Sequence, residues 1–317
     1  MQRAGVEISV VSPVFNEEKT VEEFFDRVYS VLSSLEVAFE LILVDDGSDD
    51  RSFEILKMCY QNRPECVRIV RLGRNFGHQL AITAGIRYAS GKAVIVMDSD
   101  LQDPPETIRE FIRRWREGAD IVYGIRKERK GESLFKKTSA LLFYKLIRAA
   151  TKIDIPENVG DFYLLDRKVV EELNQMQERH RFIRGLVAWV GFKRIGVEYV
   201  REARFAGKTK FGFWRMLHFA FDAATSFSFL PLRFISFMGV VISGFAFLGI
   251  LLIIYMRLFT TATITGWSSL MVVVLFIGGI QLLALGLFGE YVARIGDDVK
   301  RRPLYTVKEV LGGEVSY

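Results

Sequence analysis

Two rhythms of apolar and polar positions alternate along the first hundred residues. Residues 8–12 form a β-branched run, 20–35 repeat apolar side chains at helical spacing, and 40–44 form a second apolar run ending at Asp45. A helical stretch at 52–60, a strand-like run at 67–72, a helical stretch at 79–88 closed by Gly91, and a run at 93–97 follow. Strand and helix patterns in turn, joined by short connections, predict βαβ units and an α/β fold with a mostly parallel sheet. From Leu230 the alternation is lost, and the chain is overwhelmingly apolar with few charges before Glu290. Residues 235–255 and 270–287, the latter with its flanks, each match the ~20 apolar residues with which a helix crosses a bilayer. A pair of buried core helices is the competing reading, but two adjacent runs without interior charge have little use in a soluble protein.

Charge orients these runs. Arg233 precedes the first, and Arg294, Lys300, Arg301 and Arg302 follow the second. The intervening 257–267 is short, rich in Thr and carries one cation. The positive-inside rule then predicts both termini in the cytoplasm and the short loop outside, in a multi-pass protein expected at the inner (plasma) membrane. Gln281, Gly278 and Gly279 lie in the second run, where such residues serve close helix contact and permit a homo-oligomer. The expected division is a cytoplasmic domain over 1–229, two transmembrane helices over 230–294, and a cytoplasmic tail over 295–317. The net charge of +5 suits nucleic acid, an anionic membrane surface or a phosphorylated substrate. The apolar runs select the membrane, and no nucleic-acid partner is expected. The two cysteines, Cys59 and Cys66, have no metal-type spacing and are expected to be reduced thiols.

Parallel α/β sheets bind ligands at the carboxyl ends of their strands, which here are 13–17, 45–48, 74–78 and 98–102. None carries a G-x-G-x-x-G or G-x-x-x-x-G-K-S/T pattern, against a dinucleotide fold or a P-loop NTPase. The run Asp98-Ser99-Asp100-Leu101-Gln102-Asp103 ends in Pro104-Pro105. Carboxylates two residues apart at a strand end can converge on one hard cation that bridges a diphosphate. The same run also reads as a capping loop, with Asp103 as N-cap and Pro104 at N1. Both readings are retained, Asp103 for the cap and Asp98, Asp100 and Gln102 for the metal. Asp45-Asp46-Gly47-Ser48 is either an ordinary turn or, with Pro13-Val14-Phe15-Asn16-Glu17, a set of acceptors for a base and a ribose. Arg74-Asn75-Phe76-Gly77-His78 opens a helix at the same edge, a place that favours anions, and His78 is expected to be structural.

With these motifs the chain resembles the family 2 glycosyltransferases of GT-A (Rossmann-like) fold that act on polyisoprenyl phosphates. The bacterial bactoprenol glucosyltransferases are nearest and the dolichol-phosphate mannose synthases a step further. The likeness covers essentially the whole chain and is most specific at 10–17, 44–48, 74–85, 97–105, 158–162 and 204–210. It implies that Pro13, Phe15, Glu17, Val44 and Asp46 hold the nucleoside. It also implies that Asp98, Asp100 and Gln102 hold Mg²⁺ or Mn²⁺, and through it the donor diphosphate. Ser99, where relatives often have Ala, would join the donor site through its backbone. Arg126, Arg204 and Lys210 would supply cations to the donor diphosphate or the acceptor phosphate, although each alone reads as a solvated surface charge. Asp161, in Asn158-Val159-Gly160-Asp161-Phe162, falls where this fold places its catalytic acid, and could equally be a turn carboxylate beside Gly160.

The resemblance implies inverting hexosyl transfer, with UDP-glucose as donor and undecaprenyl phosphate as acceptor. Mannosyl transfer from GDP-mannose is the alternative. An acceptor phosphate is already anionic, so positioning and charge stabilisation are expected to outweigh general base catalysis. Segments 133–152 and 211–229 interleave cations or aromatics with aliphatic residues, as helices in the interfacial plane do. A processive synthase would show Q-x-x-R-W and more spans, whereas this chain has Arg179-His180-Arg181-Phe182-Ile183-Arg184 in that region. A non-catalytic scaffold would have little reason to keep every metal and diphosphate position.

Overall fold

The computed structural model describes residues 5–127, 159–176, 178–179, 181–201, 230–259 and 266–313. These form two units, one holding the described residues up to 201 together with 302–313, the other holding 230–259 and 266–301.

The first unit is built on a sheet of eight strands. Strand β1 (Ile8–Val14) is buried along its whole length, as a near-continuous apolar run must be when both sheet faces are covered. It pairs in parallel with β2 (Phe39–Asp45) and β4 (Ala93–Val96), and β2 pairs in parallel with β3 (Val67–Leu72). Helices α1 (Val21–Ser33), α2 (Ser52–Asn62) and α3 (His78–Tyr88) make the crossovers. The 3.6-residue period puts Val21, Phe24, Phe25, Val28, Val31 and Leu32 of α1 on one buried stripe. Every strand and helix expected before residue 97 is present, with no end shifted by more than two residues.

Beyond β4 the direction changes. A short 3₁₀ turn at Pro105–Thr107 leads into α4 (Ile108–Arg116) and β5 (Ile121–Arg126). Strand β6 (Val159–Asp166) inserts antiparallel between β4 and β5, and β7 (Arg194–Tyr199) runs parallel to β5 at the edge. Helices α5 (Arg167–Gln175) and α6 (Ile183–Trp189) lie between β6 and β7 in the chain. Because Val96 pairs with Tyr163 and Val94 with Leu165, extending the antiparallel register two residues sets Asp161 opposite Asp98. A residue near the start of β6 therefore reaches the edge where the parallel strands end.

The other end of the sheet is fastened by buried charge. Glu40 is fully buried and accepts from Ser9 Oγ at 2.7 Å, Ser90 N at 2.6 Å and Ser90 Oγ at 2.9 Å. Arg68 Nη2 lies 3.7 Å from its Oε2, and Arg68 Nη1 donates to the carbonyl of Tyr88. One carboxylate thus joins β1, β2, β3 and the turn after α3. On the opposite side of β3, β8 (Val307–Leu311) adds an antiparallel edge strand, so the stretch expected as a tail contributes to the sheet.

The second unit holds α7 (Leu230–Phe259) and α8 (Trp267–Val299), of 30 and 33 residues. Both apolar runs are therefore helical. Among the described residues one window, Phe276–Val299, is long and apolar enough to cross a membrane, with a mean hydropathy of 1.5 and only 6 % of it buried. The apolar window of α7, Phe237–Gly249, is shorter. Phe237, Val240, Phe245, Leu282 and Leu285 are exposed, unlike the side chains of a core helix.

The clamp at Glu40 gives the first prediction. Glu40→Ala leaves the buried Arg68 guanidinium without its carboxylate, so unfolding free energy should fall by ~3–5 kcal/mol. Denaturant titration of the full chain in detergent, followed by tryptophan fluorescence, measures this. A loss under ~1 kcal/mol, the scale of an exposed pair, would remove Glu40 as a fastening.

Candidate active site

The loops after β1 and β2 are stitched together by side-chain oxygens. Asn16, in a left-handed backbone conformation at φ 55°, donates its N–H to Ser48 Oγ at 3.1 Å and accepts from Asp49 N at 2.9 Å. Glu17 N donates to Ser52 Oγ at 2.8 Å and Glu18 N to Asp50 Oδ2 at 3.2 Å. Of the residues expected at the nucleoside, Phe15 is 36 % exposed and available to a ligand. The Glu17 carboxylate accepts from Thr20 Oγ1. Pro13 gives its carbonyl to Ser99 Oγ at 3.0 Å, and Val44 is fully buried in β2. Asp46, expected as an acceptor for base and ribose, also serves the backbone. It is buried, and its two oxygens accept from Phe76 N at 2.8 Å and Gly77 N at 2.9 Å. Burial raises its pKa against those two hydrogen bonds. The next residue must be glycine, because Gly47 has φ +71° and a Cβ there would sit 2.6 Å from the Arg74 carbonyl carbon.

The acidic loop after β4 has one strained residue. Leu101 has φ +58° and is 2 % exposed in the core, a conformation that costs a bulky residue ~1–3 kcal/mol and persists only where packing imposes it. Asp100 Oδ1 accepts from Gln102 N at 3.1 Å. Asp103 is not an N-cap. Two prolines in succession keep Pro104 extended, so α4 starts only at Ile108. The Asp103 carboxylate instead accepts from the Tyr199 hydroxyl and from Arg126 Nη2 at 3.4 Å, and Arg126 Nε donates to the Tyr199 hydroxyl at 3.0 Å. Burial opposes the charge of Arg126, but Asp103 and its neighbours hold the guanidinium more firmly protonated than usual.

Beside this loop stands Asp161, whose side chain is 8 % exposed. It accepts from Gln79 Nε2 at 3.1 Å, from Arg184 Nη2 at 3.3 Å and Nε at 3.4 Å, and contacts His78 Nε2 at 3.3 Å. Gln79 Oε1 accepts from Ile183 N at 2.8 Å, which ties the first turn of α3 to that of α6. His78 Nε2 is also 3.4 Å from Asp98 Oδ1, so the imidazole bridges two carboxylates. Burial alone would raise the Asp161 pKa, yet the Arg184 charge and the His78 bond hold it well below the carboxylate range. For His78 burial is again opposed, by the Asp161 bond and the Asp98 charge, and the pKa is pushed up to about 9. Asp98 goes the other way. Burial, with Asp161, Asp103 and Asp100 nearby, outweighs His78 and pushes it up to about 6.

A hard divalent cation fits this arrangement in part. Asp98 Oδ1 is buried and makes no hydrogen bond beyond its 3.4 Å ion-pair contact with His78 Nε2, and the negative charges of Asp100, Asp103 and Asp161 act on Asp98. Among the described residues no three His, Cys, Asp or Glu side chains form a complete cage. Asp98, Asp100 and Gln102 would offer at most a partial shell, of the kind a metal shared with substrate phosphates uses.

Residues 9–174 match the family described as Glycosyl transferase family 2. The uncharacterized glycosyltransferase YkcC of Bacillus subtilis (strain 168) is 49 % identical over 309 residues, covering 98 % of this chain and 95 % of its own. The chain belongs to glycosyl transferase family 2. It is a glycosyltransferase, and its sheet is the mostly parallel α/β sheet of the GT-A fold. The prophage bactoprenol glucosyl transferase homolog of Escherichia coli (strain K12) is 41 % identical, covering 96 % of this chain and 99 % of its own. The bactoprenol glucosyl transferase of Shigella phage SfII is 40 % identical, with 96 % and 98 % covered.

Within this glycosyltransferase the structure brings Asp98, Asp103, Arg126 and Asp161 to one edge, along with Pro13 and Ser99. Arg204, Lys210 and the segments 133–152 and 211–229 lie outside the described residues. Three side chains at the site carried no expectation: Gln79, Arg184 and Tyr199. Arg184 had a signal in the basic run before α6, whereas a lone tyrosine ending a strand has none. His78, expected as structural, touches both site carboxylates. Tyr199→Phe removes a hydroxyl that serves a buried carboxylate and a guanidinium, so it should lower stability by ~1–3 kcal/mol. Thermal unfolding with Tyr123→Phe as control checks this, and equal effects of the two changes would deny Tyr199 the bridging role.

Proposed function

We propose that this glycosyltransferase moves glucose from UDP-glucose to a polyisoprenyl phosphate at the cytoplasmic face of the membrane, with inversion at the sugar C1. The observation that carries the reading is the Escherichia coli relative named for bactoprenol glucosyl transfer, matched over 99 % of its length. Such a match takes in both apolar helices as well as the sheet. In this reading α7 and α8 both cross the bilayer, residues 1–229 form the cytoplasmic domain, and Gly278 and Gly279 offer contacts for a homo-oligomer.

Phe15 and Glu17 with the walls at Pro13, Val44, Asp46 and Ser99 receive the nucleoside. Asp98, Asp100 and Gln102 would hold Mg²⁺ or Mn²⁺, which when bound would supply positive charge to stabilise the departing diphosphate. Arg126, Arg204 and Lys210 add positive charge for the donor diphosphate or the acceptor phosphate. A lipid phosphate oxygen attacks C1, the bond from C1 to the diphosphate breaks, and UDP leaves with the bonding pair. Asp161, firmly ionised between Arg184 and His78, is a weak base and acts by orienting the acceptor, which arrives already anionic. Arg184, beside it, supplies the cation that keeps two anions compatible.

Full-length protein in detergent should glucosylate undecaprenyl phosphate from UDP-glucose with Mg²⁺ or Mn²⁺ and stop on chelation. Turnover with GDP-mannose alone would move the reading to mannosyl transfer, and none with any nucleotide sugar would end it. Asp100→Ala should weaken metal-dependent donor binding at least ~10-fold, about 1.4 kcal/mol, in calorimetry; unchanged affinity removes Asp100 from the metal shell. Asp161→Asn should lower kcat by ~10²-fold if orientation is its contribution, and full activity would refute that role.

A further inference from the structure

The chain returns to the sheet shortly after α8, and the segment 302–311 meets the supports of Asp161 at three points. Arg179 Nη1 donates to the Arg302 carbonyl at 3.3 Å, just ahead of α6 and its Ile183 and Arg184. Arg87 of α3 hydrogen-bonds the Tyr305 hydroxyl. Gly73 N donates to the Thr306 carbonyl at 2.8 Å. The last contact follows a ladder in which Ile69 faces Leu311 and Leu72 faces Val307, with an irregularity between Arg71 and Leu72. It is also close, since a Cβ on Gly73 would lie 2.6 Å from Thr306 Oγ1.

Gly73 begins the loop that ends at His78. The loop is confined on one side by Thr306 and on the other by Gly47, whose own missing Cβ leaves room for Arg74. Its far end is fixed by Asp46, through the amides of Phe76 and Gly77. The next two residues are His78 and Gln79, both in contact with Asp161. Backbone held at both ends and on both flanks leaves those two side chains little freedom.

We propose that residues 302–311 are a positioning element of the active site, setting through Gly73 the loop that presents His78 and Gln79 to Asp161. The inference rests on the orienting role of Asp161 given above. A strand that only covered an edge would satisfy the backbone of β3 and leave the loop beyond it alone. Here the contacts run past the end of the ladder to Gly73, to α3 and to the approach to α6.

The test uses the full chain in detergent with UDP-glucose and undecaprenyl phosphate. Gly73→Ala places a methyl against Thr306 and should lower kcat ~10-fold or more, since displacements near 1 Å can cost 10²-fold, with donor KM held within about twofold. Thr306→Ala in the same chain removes the clashing hydroxyl and should restore most of the loss, a coupling expected only of neighbours in contact. Val310→Asp, which loosens β8 without touching the loop, should lower kcat and speed hydrogen exchange in the 73–79 peptide, where Asp46 protects two amides. The inference is overturned if Val310→Asp speeds exchange in 307–311 alone with kcat unchanged, or if Thr306→Ala gives no rescue in a folded Gly73→Ala protein. A wild-type chain inactive with these substrates sinks the functional reading instead, and the exchange result still decides whether the strand holds the loop.

Discussion

A carboxylate as buried as Asp161 stays ionised only if donors come to it, and here they come from two helices. His78 and Gln79 open α3 and Arg184 lies in the first turn of α6. An unpaired charge at that depth is strongly unfavourable, so the position of Asp161 dictates where both helices must begin. Strand β6 decides the position of Asp161 in turn. Its antiparallel insertion beside β4 is what carries an acid from a later part of the chain to the edge where Asp98 follows a parallel strand.

The same edge gathers charges of both signs, and their pKa shifts divide the labour. Asp161 is pinned in its charged form, while Asp98 is pushed up by burial and by its acidic neighbours. The first is a fixed anion held by cations, and the second is an acid whose surroundings favour an added positive charge. Together they set a fixed anion beside an acid that its surroundings hold less firmly ionised.

Much of this was legible in the sequence, and the limits have physical causes. The strand and helix order up to residue 97 followed from periodicity, because each element buries one face against the same sheet. Asp98, Asp100 and Asp161 were marked by their places in motifs. Asp103 was misread because a cap and a long-range anchor look alike in one dimension, and only the second proline distinguishes them. Gln79, Arg184 and Tyr199 meet their partners across separations of 82, 23 and 96 residues, and local pattern carries no information about such pairs. The strand at Val307–Leu311 was hidden for a related reason, since five residues after a helix, four half-buried and one exposed, have no period of their own.

Leu101 has a consequence of its own. At a left-handed φ glycine is the residue that the backbone would prefer, yet here the side chain is sunk in the core and fixes the loop from below. Relieving the strain with glycine would remove that anchor and let the acidic residues on either side sample several arrangements. The leucine therefore trades backbone comfort for a single geometry of the carboxylates that flank it.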